Sequence, residues 1–259
     1  MRYGIYLLPG VLLFCFITLG IAGTASSQKQ IEDKYWEWEI GYDKYSSKIL
    51  SIQSIADAIK VRDAALKQAD PFVRKIVLDF SKSENNRETW FLLKIGWKRI
   101  QYDNPQSAIE RLTWAWFISP KKPMVYWGFA SALGTLNRLE ESVRLFTIAE
   151  TLNNENQSLT KEGQLSRFSI DFAHSLINYW DGQESKDDQL LTKAEKLLEK
   201  PRRQSISTNN DCCCIRAMYS VLLFNQRKYK DSLKEYVDVK NNTPKCTNPD
   251  FEKELLNKN

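Results

Sequence analysis

The stretch YWGFASALGTLNRLEESVRLFTIAETL, from Tyr126 to Leu152, decides the fold, because small residues recur in it among large apolar ones. Ala130 and Ser142 lie twelve residues apart. Two helices pack closely only where a small side chain lets one backbone approach the other. The pattern therefore predicts one helical hairpin, in which Ala130 faces Ser142.

The same arrangement recurs along the chain. Four positions of the preceding stretch match this one at an offset of 34 residues: Gly96 with Ala130, Ala108 with Ser142, Leu112 with Phe146, and Ala115 with Ala149. Near the C-terminus, Ser220 and Ser232 are again twelve residues apart. The middle stretch, residues 165–198, fits less well, since its small residues Ala173 and Ala194 are 21 apart. We expect DGQESKDDQ, residues 181–189, to be a loop inserted between its two helices.

This period resembles that of the tetratricopeptide repeat (TPR) family, whose signature is W-x2-L-G-x2-Y, then A-x3-F, then P. The corresponding residues of the clearest unit are Tyr126, Phe129, Ala130, Leu133, Ser142, Phe146 and Ala149. The resemblance is strongest over Glu88–Asn154 and weaker over Cys213–Pro244. It implies an all-α fold, a right-handed α-solenoid of stacked antiparallel helix hairpins. A single hairpin cannot bury its apolar faces alone, so neighbouring hairpins must stack.

The first 27 residues have the layout of a secretory signal peptide: Arg2, an apolar stretch, then small residues including Gly23 and Ala25. The alternative is an uncleaved membrane anchor through residues 4–23, which are just enough to span a bilayer. Either way we expect export, to the periplasm or the exterior, or attachment to a membrane. Two further regions follow: residues 28–86, an aromatic-rich segment with helices, and residues 87–259, the repeat array.

The aromatic-rich segment carries Tyr35, Trp36, Trp38, Tyr42 and Tyr45. It is interpreted either as a cap on the first hairpin or as an interfacial segment beside a membrane. The next stretch, from Ser46 to Asp70, has the periodicity of an amphipathic helix. Asp70-Pro71 then predicts a cap and first-turn proline for a second helix, which ends at about Phe80.

Catalytic and cofactor motifs are scarce in this sequence. His174 is the one histidine, which disfavours triads and histidine-rich metal sites, and it is interpreted as an ordinary helix residue. Motifs for phosphate cradling, a nucleophile elbow or a zinc-protease helix are missing from the sequence. We therefore predict a protein that is not an enzyme, with no catalytic residues, metal or cofactor.

The charge balance disfavours a nucleic-acid partner. Removing Arg2 with the signal takes the formal net charge from +5 to +4, and both signs are dispersed. The densest basic cluster, Lys200, Arg202 and Arg203, surrounds Pro201 and is interpreted as a solvated linker.

The cysteines after residue 27 are Cys212, Cys213, Cys214 and Cys246. Their spacing does not suit a zinc site. In the last predicted hairpin, the start of the first helix lies beside the end of the second, so a disulfide between Cys246 and Cys213 or Cys212 is predicted for an oxidising compartment. The alternative is that these cysteines are small buried apolar residues.

The family resemblance implies a binding groove, since the first helices of TPR hairpins line a concave surface that holds an extended peptide or a partner helix. The groove residues carried over are Trp90, Leu93, Trp97, Ile100, Gln101, Met124, Trp127, Ser131, Thr135, Ala217, Val221, Phe224 and Asn225. Tryptophan is enriched at interaction hot spots, which favours an apolar or aromatic anchor on the partner. The alternative is that the tryptophans are core residues, and their exposure decides between the two.

The expected function is therefore that of an exported protein-binding scaffold or adaptor. The first alternative is a membrane-tethered scaffold subunit of an envelope complex, held by its N-terminal segment. The second is an enzyme with an unrecognised site near His174, for which the sequence suggests no substrate.

Overall fold

The computed structural model describes residues 47–82, 87–159, 162–208 and 215–258, and within these ranges every regular element is helical. After a helical turn at residues 47–50, the α-helices are α1 (Ile55–Gln68), α2 (Pro71–Ser81), α3 (Arg87–Gln101), α4 (Pro105–Ile118), α5 (Pro123–Thr135), α6 (Leu139–Asn156), α7 (Glu162–Gly182), α8 (Asp188–Thr208), α9 (Ile215–Asn225), α10 (Tyr229–Asn242) and α11 (Pro249–Lys258). A short 3-10 helix, Pro244–Cys246, precedes α11. The predicted signal peptide, residues 28–45 and Cys212–Cys214 lie outside the described ranges.

Consecutive helices pack as hairpins, and the hairpins stack. The closest pairs are α3 with α4, α5 with α6, α7 with α8, and α9 with α10. Successive hairpins then join through α4 on α5, α6 on α7, and α8 on α9. The fold is thus an all-α solenoid of helix hairpins, which confirms the predicted class.

The small residues sit where the two helices of a hairpin meet. Ser142 Oγ donates to the carbonyl of Ala130 over 2.7 Å. Ser232 Oγ donates to the Ser220 carbonyl over 2.7 Å, and Ser220 Oγ donates back to the Ser232 carbonyl over 2.9 Å. Such bonds need backbones too close for a larger side chain between them, so these two predicted approach points are confirmed.

The turns inside three hairpins repeat the same backbone geometry. Each contains a residue in the left-handed region, seven positions after the small residue of its first helix: Asp103 (φ 54°), Asn137 (φ 57°) and Arg227 (φ 63°). The backbone amide of the next residue then donates a hydrogen bond to the carbonyl five residues back. The three bonds are Asn104 to Arg99, Arg138 to Leu133 and Lys228 to Leu223, each over 2.9 Å. This six-residue closure is the Schellman ending of a helix. The repeat therefore extends from side-chain pattern to backbone conformation.

The third hairpin, α7 with α8, departs from this turn. Residues 183–187 link its helices, inside the stretch predicted as a loop. Ala173 and Ala194 are fully buried. Ser175 Oγ lies 3.1 Å from Ser142 Oγ, which joins this hairpin to the one before it.

The predicted continuous helix from Ser46 to Asp70 is interrupted at residues 51–54. Ile49, Leu50 and Ile52 are buried in the core, and Ser54 then caps α1 by accepting from the Asp57 amide over 3.1 Å. The sequence did not reveal this break because no glycine or proline marks it.

The N-terminal helices are tied to the first hairpin. Asp70 caps α2 as predicted, since its Oδ1 accepts from the Phe72 amide over 2.8 Å. Arg62 Nε of α1 donates to the Phe117 carbonyl over 2.6 Å, and a terminal guanidinium nitrogen of Arg62 donates to Ser81 Oγ over 3.0 Å. One side chain thus links α1, α2 and the end of α4.

The interpretation of Lys200–Arg203 as a linker was wrong. These residues lie inside α8, and Pro201 is buried within it. Arg202 forms an ion pair with Glu235 of α10, and its guanidinium lies 4.4 Å from the centre of the Tyr219 ring. Proline removes one hydrogen bond from the helix, but these contacts with the last hairpin hold the segment in place.

The last hairpin is covered by α11. Phe251 and Leu255 are buried against Tyr236, and the Phe251 ring packs edge-on to Phe224 with centroids 5.4 Å apart. An apolar end of a stacked array must be covered in this way, because it has no further neighbour.

Candidate functional site

The first helices of the four hairpins form one layer, because α3 contacts α5, α5 contacts α7, and α7 contacts α9. We call it the first-helix layer. The predicted groove residues all belong to it, so the structure brings them onto one side of the molecule. They differ, however, in how much of each side chain a partner could reach.

Trp90 is the accessible tryptophan of the set. Trp90 lies near the start of α3 and is 43% exposed. Lys122 Nζ lies 4.3 Å from the centre of its ring, a cation–π contact. Leu93, one turn further on, is only 1% exposed and is a core residue.

Trp97 and Trp127 join neighbouring hairpins. Their rings meet edge-on, with centroids 5.0 Å apart. Trp127 is 5% exposed, and its Nε1 donates to Asp171 Oδ2 of α7 over 3.0 Å. Asp171 in turn pairs with Arg167 Nε at 3.0 Å. Trp127 is therefore a core residue that ties α5 to α7, while Trp97 is half-buried beside it.

Several polar atoms in this layer are buried without a hydrogen-bond partner among the described residues, among them Glu88 Oε2, Trp97 Nε1, Ser131 Oγ and Trp180 Nε1. An unsatisfied buried donor costs about 1–3 kcal/mol, so such groups call for an explanation. Met124, on the same helix as Ser131, is partly buried.

At the far end of the layer, Phe224 and Asn225 are half-buried. The Phe224 ring packs edge-on to Tyr229 with centroids 5.3 Å apart, in addition to its contact with Phe251. The last hairpin therefore uses Phe224 to hold its own turn and α11, and the open aromatic end of the layer is the one with Trp90.

Sequence reasoning missed a polar row on α7. Arg167, Asp171, His174 and Asn178 are spaced four, three and four residues apart, the spacing of one helix face, and that spacing could have revealed them. Asn178 Nδ2 lies 3.1 Å from His174 Nε2. Burial is the largest influence on the pKa of His174 and lowers it; Asp171 acts in the opposite direction.

Sequence reasoning also missed a row of basic residues on α3. Arg87, Lys94 and Lys98 are exposed, and together with Trp90 they are spaced three or four residues apart, as on one face of a helix. Burial lowers the pKa of Lys122, the residue that covers the Trp90 ring. The accessible tryptophan thus lies among positive charges, which favours an acidic partner.

Other features of the described residues do not form a more developed site. A shallow, open cleft of about 370 Å³ lies at the turn between α9 and α10 and is lined by Arg227, Lys228, Tyr229, Lys230, Asp231 and Lys258. Within the described ranges, no group of three or more histidine, cysteine or acidic side chains is placed to hold a metal ion. Nor is any of the helices there long and apolar enough to cross a membrane.

Comparison with known proteins adds no relative. The chain matches no protein-family model, no curated protein and no solved structure at a significant level. Conclusions about its function therefore depend on the residues themselves.

Proposed function

We propose that this chain is a protein-binding scaffold of the TPR type, which captures a partner peptide or helix on its first-helix layer. The observation that carries the proposal is the exposure of Trp90 at the open end of that layer, 43% for a residue type that anchors interfaces. Trp97, which lies two turns further along α3, is partly exposed and adds to the aromatic surface. Because Leu93 and Trp127 are core residues, we propose that Trp90 and Trp97 are the side chains that anchor the partner.

The charges around the anchor select the partner's chemistry. Arg87, Lys94 and Lys98 are exposed on the same helix, and Lys122 covers one face of the Trp90 ring. An acidic segment with an apolar or aromatic side chain suits this surface, since complementary charge speeds encounter and rejects basic partners.

The test is quantitative capture from an extract of the native cell, with the full chain immobilised. Trp90→Ala and Lys94→Glu are compared with the unchanged chain, and Tyr102→Ala is the matched control, since Tyr102 is 73% exposed in the turn after α3. A partner lost by the first two variants and kept by the control supports the proposal. Capture of the same proteins in equal amounts by all four chains would contradict it, provided that their circular dichroism is unchanged.

We further propose that the chain acts outside the cytoplasm, in the periplasm, secreted, or anchored to a membrane by residues 4–23, and that Cys246 pairs with Cys213. Cys246 is buried beside Val239 and packs against Ala217, four residues after Cys213 in the chain. That position suits a bridge between the start of α9 and the end of α10, which lie side by side. Export would supply the oxidising conditions that the bridge needs.

A further inference from the structure

The solvent face of α3 carries a row that we call the basic stripe: Arg87, Trp90, Lys94 and Lys98. The intervals of three, four and four residues keep these side chains on one face, because a helix turns once in about 3.6 residues. The three basic residues are exposed, and Trp90 is 43% exposed. The stripe is thus an unpartnered helix face with a definite chemistry.

The basic stripe has no matching acidic residues within the described part of the molecule. None of the ion pairs described there involves Arg87, Lys94, Lys98 or Lys122. Lys121 adds another exposed positive charge beside Lys122. The acidic residue of α3 is Glu88, which is partly buried. A ligand for the stripe must therefore bring its own negative charges.

Residues 31–45 of the same chain have the complementary composition. Their sequence, IEDKYWEWEIGYDKY, contains five acidic and two basic residues, a formal charge of −3, together with five aromatic side chains. At its centre, Trp36-Glu37-Trp38-Glu39 alternates aromatic and acidic side chains, which is the pattern that a row of lysines around a tryptophan would accept.

The described chain begins at Ser47, and the carbonyl of Leu50 accepts a hydrogen bond from Arg144 of α6. Further on, Arg62 of α1 hydrogen-bonds to Phe117, at the end of α4 that leads to Lys121 and Lys122. The segment is therefore attached on the side of the second helices and must pass round the first hairpin to reach α3. Thr89 Oγ1 lies 2.9 Å from Ser119 Oγ, so the start of α3 lies at that end of α4. The ten residues from Glu37 to Ser47 span up to about 35 Å when extended, which exceeds the length of about 22 Å of a 15-residue helix such as α3.

We propose that residues 31–45 bind the basic stripe within the same molecule, with Trp36 or Trp38 against Trp90 and Glu37 and Glu39 among Lys94, Lys98 and Lys122. This proposal concerns the chain's own segment, so it stands or falls separately from the capture of a partner.

Zero-length carbodiimide crosslinking of the dilute full chain tests the proposal, because it joins a lysine to a carboxylate only when the two are in contact. Mass spectrometry of the monomer is expected to show links from Glu37 or Glu39 to Lys94, Lys98 or Lys122. The described ion pairs Lys193–Glu150 (2.8 Å) and Lys240–Glu252 (2.6 Å) are internal positive controls. Links at both controls but none at the stripe would overturn the proposal, as would links at the stripe that join only two separate chains.

A charge swap separates a specific contact from general attraction. Glu37→Lys with Glu39→Lys is expected to abolish the stripe links and leave both control links unchanged. Adding Lys94→Glu and Lys98→Glu to that variant should restore crosslinks between the same positions, since lysine and carboxylate again face each other. Restoration would support the proposed register, whereas a swapped chain that still fails to crosslink at these positions would contradict it. Partner capture by Trp90→Ala is measured in a separate experiment. The proposal about residues 31–45 and the proposal about partner binding can therefore fail independently.

Discussion

Ser142 Oγ donates a 2.7 Å hydrogen bond to the carbonyl of Ala130 and lies 3.1 Å from Ser175 Oγ. One buried hydroxyl therefore joins the two helices of its own hairpin and also the first helix of the next. A side chain larger than serine would push the helices apart, and a smaller one would leave the Ser175 hydroxyl without this partner.

Ser142→Ala should lower the free energy of unfolding by about 1–2 kcal/mol, because it removes one buried hydrogen bond and leaves the Ser175 hydroxyl unsatisfied. Chemical denaturation followed by circular dichroism measures the change. Ser107→Ala is the control on the neighbouring hairpin, where the serine is only partly buried, and it should change stability by less than about 0.5 kcal/mol. Equal effects at the two positions would contradict the role given to Ser142.

Leu112 lies between two glycines, one in its own hairpin and one in the next. A Cβ at Gly128 would come within 2.7 Å of Leu112 Cδ2, and a Cβ at Gly96 within 3.1 Å of the same atom. Because Leu112 is fully buried, it has little room to move. Gly128→Ala should therefore destabilise the protein by about 1–3 kcal/mol, despite the better helix propensity of alanine.

A double-mutant cycle with Leu112→Ala checks the cause. If the new Cβ acts through Leu112, its cost should fall by at least about 0.5 kcal/mol in the Leu112→Ala background. Gly163→Ala is the control, since nothing lies within 4 Å of a Cβ there, and it should be neutral or stabilising. A Gly128→Ala protein as stable as the parent would contradict the close approach.

Arg227→Gly should stabilise the last hairpin by about 1 kcal/mol. Arg227 has φ 63°, a conformation in which a side chain costs energy and glycine does not. Thermal unfolding of this variant is compared with Lys234→Gly, an exposed position inside α10, where the same substitution should cost about 1 kcal/mol. If both variants lose stability, the left-handed backbone conformation of Arg227 does not cost the energy expected of it.

Acidification should weaken the fold through His174. Burial, the largest influence, lowers its pKa below the ordinary value of about 6.5, so below that pH the unfolded chain takes up a proton that the folded chain resists. This contribution to stability is complete above about pH 6.5 and is lost as the pH falls towards the folded pKa, by up to about 1.4 kcal/mol per pH unit. Thermal unfolding between pH 7 and 5 measures it.

His174→Gln is the matched variant for this titration. It keeps a polar partner for Asn178, whose Nδ2 lies 3.1 Å from the histidine ring nitrogen, and it removes the chain's one histidine. The melting temperature of the variant should change less between pH 7 and 5 than that of the parent. Parallel pH profiles for the two proteins would contradict the assignment.

Cys246→Ser tests the proposed disulfide. A bridge to Cys213 would close a loop of about 33 residues and stabilise the fold by about 3–4 kcal/mol in the chain-entropy model. Peptide mapping without reductant should find the Cys213–Cys246 pair, and the parent should lose stability on reduction while Cys246→Ser should not. A map in which Cys246 is unpaired in oxidised protein would contradict the proposal.

The first-helix layer shows how far the sequence could predict a site. The 34-residue offset correctly assigned Trp90, Leu93 and Trp127 to first helices, because helix phase follows directly from spacing. It could not rank their exposure, since Trp127 is buried by Phe168 and Asp171 of the next hairpin, residues about 40 positions further along the chain. The stretch at Pro201 was misjudged for the same reason, because Glu235 and Tyr219 hold it in a helix that its own propensity does not favour.

By itself, the sequence determined that the chain forms helical hairpins which meet at Gly96, Ala130, Ser142, Ser220 and Ser232. Those features depend on the size and spacing of residues near one another in the chain, and local geometry is enough to fix them. Only the tertiary structure decided that Trp127 and Leu93 are core, that Trp90 faces solvent among lysines, and that Arg202 joins two hairpins. Exposure and charge pairing depend on which distant helices lie against a side chain, and no local pattern specifies those neighbours.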